Sequence, residues 1–86
     1  MRIAFHKNFD KCYKKLTDSQ QNKTQERLVL FLKNPFDPIL RNHPLKGKYL
    51  GYRSIDIAGD LRAVYKSINF EECIFVILDT HSNLYK

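Results

Sequence analysis

Sulfur is scarce in this chain: 86 residues hold two cysteines, Cys12 and Cys73. Two cysteines build no disulfide framework, and neither lies in a Cys-x-x-Cys pair or a Cys/His cluster, so structural zinc has no ligand set. Both read as buried thiols in a reducing compartment. Three glycines and three prolines are too few for a disordered or low-complexity chain. No apolar run approaches the ~20 residues that a membrane-spanning helix needs. The opening Met1-Arg2-Ile3-Ala4-Phe5 lacks the apolar stretch and cleavage site of a secretory signal. These absences point to a cytoplasmic protein with no membrane contact. Acidic residues are few, 9 against 15 Lys and Arg, and they form no cluster of the kind that holds magnesium. No metal and no cofactor is expected.

What is present suits a single domain over residues 1–86, with 43% hydrophobic residues to build one core. The net charge of +6 is uneven: residues 1–30 carry seven Lys and Arg against three acids, residues 31–60 five against three, and residues 61–86 three of each. A basic surface on a small protein fits a polyanionic partner, RNA or DNA, and equally an acidic protein.

Residues 2–5 read as a short strand. Phe9, Cys12, Tyr13 and Leu16 then recur at helical spacing, with Lys7, Lys11, Lys14 and Lys15 on the opposite side. Thr17, Asp18 and Ser19 are candidate caps for a second helix over 20–33, whose apolar Leu28, Phe31 and Leu32 gather late. Asn34-Pro35 stops it, because proline disfavours helical geometry in the residue before it. The two helices should form an antiparallel hairpin. After an irregular basic stretch, Arg53 to Ile57 alternates as a half-buried strand, Ala58-Gly59-Asp60 turns, and Leu61–Ile68 forms another strand. Asn69–Glu72 turns again, and apolar Cys73–Leu78 should be a central strand covered on both faces. The order β-α-α-β-β-β implies an α+β fold. One face of a small, mainly antiparallel sheet lies under the helices, and the other is partly open for a site.

Candidate chemistry lies in three places. From Arg41 to Arg53 the chain has Arg41, Lys46, Lys48 and Arg53 and no acid. Lysines there meet phosphates as point charges and arginines fork onto phosphate oxygens. His43 sits inside this stretch. His81 follows the apolar strand directly, a rigid place for a group with a reference pKa of about 6.5. Tyr85 beyond it can stack on a base. Asp60 and Arg62 flank the turn between two strands, where an aspartate could orient a histidine or arginine and an arginine could stabilise a phosphorane. Strand parity puts Ser54 and Asp56 on one face and Ile55 and Ile57 on the other. The isoleucines should face the helices, with Asp56 toward the open face and Arg53 on the isoleucine side. His6, at a strand-to-helix junction, receives no role. These groups fit RNA cleavage by attack of the 2′-hydroxyl on phosphorus, which needs a base, an acid and cations but no metal.

The segments His43-Pro44-Leu45-Lys46-Gly47, Gly51-Tyr52-Arg53, Asp60-Leu61-Arg62-Ala63-Val64-Tyr65-Lys66 and Thr80-His81-Ser82-Asn83-Leu84-Tyr85 carry a resemblance. In this order and spacing the chain resembles the RelE/ParE toxin superfamily, and specifically its YafQ-like branch. The resemblance implies two helices on a small twisted sheet, mRNA cleavage on the translating ribosome, and neutralisation by a cognate antitoxin. The toxin alone would be a monomer, and a hetero-oligomer with its antitoxin. It also implies catalytic roles for His43, Asp60 and His81, a base-facing aromatic at Tyr85, and, as in RelE-like toxins, a phosphate-stabilising Arg62. Where YafQ-like members often carry a histidine, this chain has Asp56, which can orient His81 or act as a base but, when ionised, cannot donate a proton. Two further readings differ in class: a ParE-like gyrase inhibitor that cuts nothing, and a catalytically weak RNA-binding module. His43, Asp60 and His81 favour the nuclease, since a gyrase binder needs no acid–base set.

Overall fold

Thr17 decides where the longer helix begins. Its hydroxyl accepts the Gln20 N–H at 3.2 Å, and the Gln20 side chain accepts the Thr17 N–H at 3.0 Å. This reciprocal cap satisfies two donors that a helix start leaves free. The computed structural model describes residues 1–85, and in it helix α2 runs Asp18–Lys33, two residues earlier than periodicity suggests. Helix α1, Lys7–Lys14, is capped by His6 and follows strand β1, Arg2–Phe5. The remaining elements are β2 (His43–Pro44), β3 (Arg53–Ala58), β4 (Leu61–Asn69), β5 (Glu72–Thr80) and a helical turn α3 (His81–Leu84), with 3-10 turns at Pro38–Leu40 and Gly47–Tyr49.

The five strands are ordered β1-β5-β4-β3-β2. All neighbours are antiparallel except β1 and β5, which run parallel. The α+β fold therefore has the expected order with one strand more: the two-residue β2 is too short to leave a periodic signal. The apolar strand β5 is interior, but β4 occupies the centre of the sheet.

Both helices lie on one face. Phe9 of α1 and Phe31 of α2 are buried with Ile55, Ile57, Tyr65, Phe75 and Leu78. Phe31 meets Tyr65 and Phe75 edge-on, with centroids 5.0 and 5.3 Å apart, a preferred aromatic geometry. Leu32, expected on this apolar face, is 48% exposed. Thr24 is fully buried instead, its hydroxyl donating to the Gln20 carbonyl at 2.8 Å. A smaller cluster on the opposite face joins Leu45, Val64 and Leu84, with Tyr49, Tyr52, Val76 and Ile77 partly buried around it.

A β-bulge separates these clusters within β5. Val64 pairs with Ile77 but Tyr65 pairs with Phe75, so Val76 has no partner. The extra residue reverses the strand's phase. Phe75 and Leu78 both enter the main core, while Ile77 joins the opposite cluster. The bulged Val76 carbonyl accepts the Asn8 side-chain amide at 2.9 Å.

Burial pushes the Cys73 thiol up to about 11 from 9.0, against a smaller lowering by the N-terminal ammonium. The unfolded thiol ionises near 9 while the folded one keeps its proton. Stability should therefore fall as pH rises from about 9 to about 11, at up to ~1.4 kcal/mol per pH unit from this group. Urea denaturation of the wild type and Cys73→Ala across that range checks this, and the variant should show the shallower decline.

Candidate active site

At the β3–β4 turn, Gly59 has φ 52°, a left-handed conformation that glycine adopts without a steric penalty. The turn brings the end of β3 and the start of β4 beside the end of β5. Leu61 pairs with Thr80, and the Asp60 carbonyl accepts the His81 N–H at 2.8 Å. The Asp60 carboxylate accepts from the Ser82 hydroxyl at 3.2 Å and the Ser82 N–H at 3.4 Å. Asp60 thus fastens the first turn of α3 and holds His81 through its backbone, where the sequence suggested an aspartate orienting a ring.

His81 is exposed, and its ring nitrogens have no hydrogen-bond partner among the described residues. The ring lies against Tyr85, centroids 4.9 Å apart. Tyr85 is 47% exposed and meets Tyr49 edge-on at 6.2 Å. An imidazole free at both nitrogens beside a half-exposed aromatic can exchange a proton with a ligand stacked there.

Asp56 lies on the open face, as strand parity requires, with Arg62 its register partner on β4. Its Oδ1 is 2.9 Å from Arg62 Nε and its Oδ2 is 3.6 Å from Arg41 Nε. The carboxylate therefore serves two guanidinium groups, and His81 is not among its partners. The Arg62 side chain is 17% exposed. Its Nη1 donates to the carbonyls of Gly59 at 2.8 Å and Leu61 at 3.3 Å, and its Nη2 has no acceptor among the described residues. Arg41 is the single non-glycine residue with positive φ in the described chain, at 48°, a conformation uncommon outside Gly, Asn and Asp. It reaches Asp56 from the loop before β2.

His43 is exposed at the start of β2, in register with Ser54. Its Nδ1 is 2.7 Å from the Arg41 carbonyl oxygen. A carbonyl only accepts, so Nδ1 carries the proton and the neutral ring keeps an open lone pair on Nε2. That is the state a general base requires. A continuous series of contacts thus joins the five candidates: His43 to Arg41, Arg41 to Asp56, Asp56 to Arg62, Arg62 to the Gly59–Asp60 turn, and Asp60 to His81.

Arg53 lies elsewhere. Its guanidinium donates to the Asn42 side-chain oxygen at 2.8 Å and stacks on Phe36, 5.3 Å from the ring centroid. Asn42 in turn donates to the Tyr65 hydroxyl at 2.8 Å and the Pro35 carbonyl at 2.9 Å, so Arg53 braces the loop that carries His43. Lys46 is exposed at the cap of the second 3-10 turn, and Lys48 sits over the Tyr49 ring at 5.3 Å. Sequence reasoning passed over Tyr49, Tyr52, His6 and Asn8, which line an open groove of about 550 Å³ with Lys48, Val76 and Ile77. Basic residues interleaved with tyrosines over 46–52 were the available signal. Among the described residues, no three His, Cys, Asp or Glu side chains gather into a potential metal cage.

Residues 1–86 match the family described as "Bacterial toxin of type II toxin-antitoxin system, YafQ". The chain belongs to the YafQ toxin family. YafQ from E. coli strain BL21(DE3) has the same fold, with a TM-score of 0.81 and 24% identity over 99% of this chain and 98% of that one. YafQ in the E. coli DinJ-YafQ toxin-antitoxin complex gives a TM-score of 0.78 at 24% identity, covering 99% and 97%. A copper-bound mutant toxin from Helicobacter pylori is 31% identical over 98% of both chains, with a TM-score of 0.69. No curated protein sequence matches the chain. This YafQ-family chain contains no helix long and apolar enough to cross a membrane, among its described residues.

Proposed function

We propose that this toxin is an endoribonuclease that cuts mRNA on the ribosome by attack of the 2′-hydroxyl on the neighbouring phosphorus, and that a cognate antitoxin holds it inactive. The contact series from His43 to His81 carries this reading. His43 Nε2 takes the 2′-hydroxyl proton, or an aspartate does so in its place. Arg62, held by Asp56 and the Gly59 carbonyl, meets the charge that develops on phosphorus. His81 protonates the departing 5′-oxygen, and Tyr85 stacks a base beside it. Asp60 positions His81. Preorganised cations and an acid–base pair supply what the reaction needs. The antitoxin rests on family membership and on the E. coli relative, whose complex is with DinJ.

Translation of a defined mRNA in a cell-free system, with mapping of RNA 5′ ends, tests the class. Discrete cuts inside translated codons are expected; no new ends there, together with growth arrest when the toxin is expressed in cells, would assign the gyrase-inhibiting reading instead. Cleavage of isolated RNA, where the ribosome's own magnesium requirement does not enter, should survive excess chelator. A strict need for added divalent metal would overturn the mechanism.

Lys46 and Lys48, with Arg41 and the Lys7/Lys11/Lys14 side of α1, are the proposed phosphate contacts. Replacing both Lys46 and Lys48 with alanine should weaken RNA binding uniformly across sequences and lower the slope of log K against log salt by about 1–2. Filter binding between low and moderate salt measures it. An unchanged slope would remove this pair from the phosphate path. Repeating the titration with antitoxin present tests whether the two ligands share the patch.

A further inference from the structure

The groove on the open face lies outside the His43–His81 series, and apart from Lys48 the proposed cleavage gives its lining residues no task. Resting on that nuclease reading, we infer that it is a second subsite, which takes one unstacked base of the RNA next to the base at Tyr85, with Tyr49 and Tyr52 as its stacking walls and His6 and Asn8 as its polar end.

Four observations converge. The groove is about 550 Å³ and lined by His6, Asn8, Lys48, Tyr49, Tyr52 and Ile77, besides Val76, within the roughly 300–1,000 Å³ of small-ligand sites. It is continuous with the candidate active site, since Tyr49 is in edge contact with Tyr85, which packs on His81. Its two tyrosines each carry a cation. Lys48 stands 5.3 Å from the Tyr49 centroid and Lys66, outside the groove lining, stands 5.6 Å from that of Tyr52, so each aromatic has a phosphate-attracting charge beside it. That is the composition of a single-strand binding surface.

The polar end offers a fixed hydrogen-bond pair. His6 Nδ1 accepts the Asn8 N–H at 3.0 Å, so the neutral ring carries its proton on Nε2 as a donor. Asn8 Nδ2 is spent on the Val76 carbonyl at 2.9 Å, which turns the amide so that Oδ1 remains an acceptor. Every base offers an adjacent donor and acceptor, but in a different order and position on its edge, so a fixed donor and a fixed acceptor in one groove favour the base whose edge meets both. The β5 bulge holds both in place, because it presents the carbonyl that fixes Asn8. An apolar peptide would leave this pair unsatisfied, and a carboxylate, which only accepts, would meet His6 Nε2 but leave Asn8 Oδ1 without a donor.

The test uses the full chain and two readouts. His6→Asn keeps a good helix cap but deletes the Nε2 donor, and Tyr52→Leu removes a stacking wall. In mapped cleavage, the wild type should show a nucleotide preference at one position beside the cut. His6→Asn should flatten it with KM raised and kcat at saturation nearly unchanged. Tyr52→Leu should weaken binding on the order of 5- to 100-fold, the range seen when one base–aromatic stack is lost. The second readout is direct: a 2′-O-methyl trinucleotide, which cannot be cut, is titrated while NMR follows the His6 Hε1 resonance. Movement of that resonance, lost in Tyr52→Leu, supports the subsite even if no variant cleaves, so its standing is separate from that of the nuclease reading. If Tyr52→Leu is misfolded by circular dichroism, His6→Asn alone decides. Wild-type cleavage with a preference unchanged in both variants would overturn the subsite and leave the nuclease reading intact. A His6 resonance indifferent to the trinucleotide but shifted by antitoxin would also overturn it, assigning the groove to a protein.

Discussion

His81→Gln is expected to slow cleavage by about 10²–10⁴-fold, the usual worth of a positioned general acid. It should leave folding and antitoxin binding intact. The structure separates the two effects cleanly. The main chain at residue 81 is fixed by the Asp60 carbonyl at 2.8 Å and by the Thr80 cap of α3, neither of which involves the imidazole. The ring is exposed and touches Tyr85, so its loss removes little buried area and should cost about 0.5 kcal/mol or less. The measurement is the single-turnover rate on ribosome-bound mRNA, using protein whose melting temperature matches the wild type. A folded variant that cleaves at the wild-type rate would show that another group protonates the 5′-oxygen. A folded variant that arrests growth without cutting RNA would replace the nuclease reading with the gyrase-type one. Asp60→Ala offers a contrast. It keeps the backbone bond to His81 but loses the carboxylate that holds Ser82, so it should lower the rate less than His81→Gln does.

Much of this arrangement is legible in the chain because its determinants are local. The helical hairpin follows from apolar spacing, a polar break at Thr17 and the Asn34-Pro35 stop. The face occupied by Asp56 follows from the alternation of Arg53 to Ile57, and Ile55 and Ile57 do enter the core. What was not legible depends on partners distant in sequence. The β5 bulge occurs inside a run of apolar residues, where no polar residue marks a change of phase, and it shows only in the pairing of Tyr65 with Phe75. The strand at His43–Pro44 is two residues long and exists because β3 has a free edge. Asp56 could be placed on its face from sequence, but its choice of Arg62 and Arg41 over His81 is set by the β3–β4 register and by a left-handed Arg41. The tyrosine groove assembles residues 6, 8, 49, 52, 76 and 77, which no window along the chain brings together. Arg53 shows the reverse case. Its parity put it on the helix side, and its contacts there are with Asn42 and Phe36.

Arg62→Ala should reduce cleavage on the order of 10²–10³-fold, by analogy with the loss of one oxyanion donor. The cause differs from that at His81. In the proposed mechanism Arg62 moves no proton and meets charge on the phosphorane with a guanidinium already oriented by Asp56 at 2.9 Å and by the Gly59 carbonyl at 2.8 Å. Preorganisation of this kind makes the fork geometry matter. Arg62→Lys retains the charge but not the planar donors, and should recover only part of the lost rate. Some loss of stability is also expected. The pair is partly buried, with side chains 17% and 19% exposed, so removing Arg62 leaves Asp56 facing only the more distant Arg41. A cost of about 1–2 kcal/mol is reasonable, below the value for a fully buried pair left uncompensated. Rates must therefore be compared well below the variant's melting temperature. The role of Asp56 is tested in the same background. If Asp56 acts by holding Arg62, Asp56→Asn lowers the rate in the wild type but has little further effect on Arg62→Ala, the non-additivity expected of two residues working as a unit. Full additivity would mean that Asp56 acts on the RNA directly, as a base or through Arg41. The same cycle with Arg41→Ala separates those two, because a carboxylate acting as base keeps its effect when Arg41 is absent and one acting through Arg41 does not.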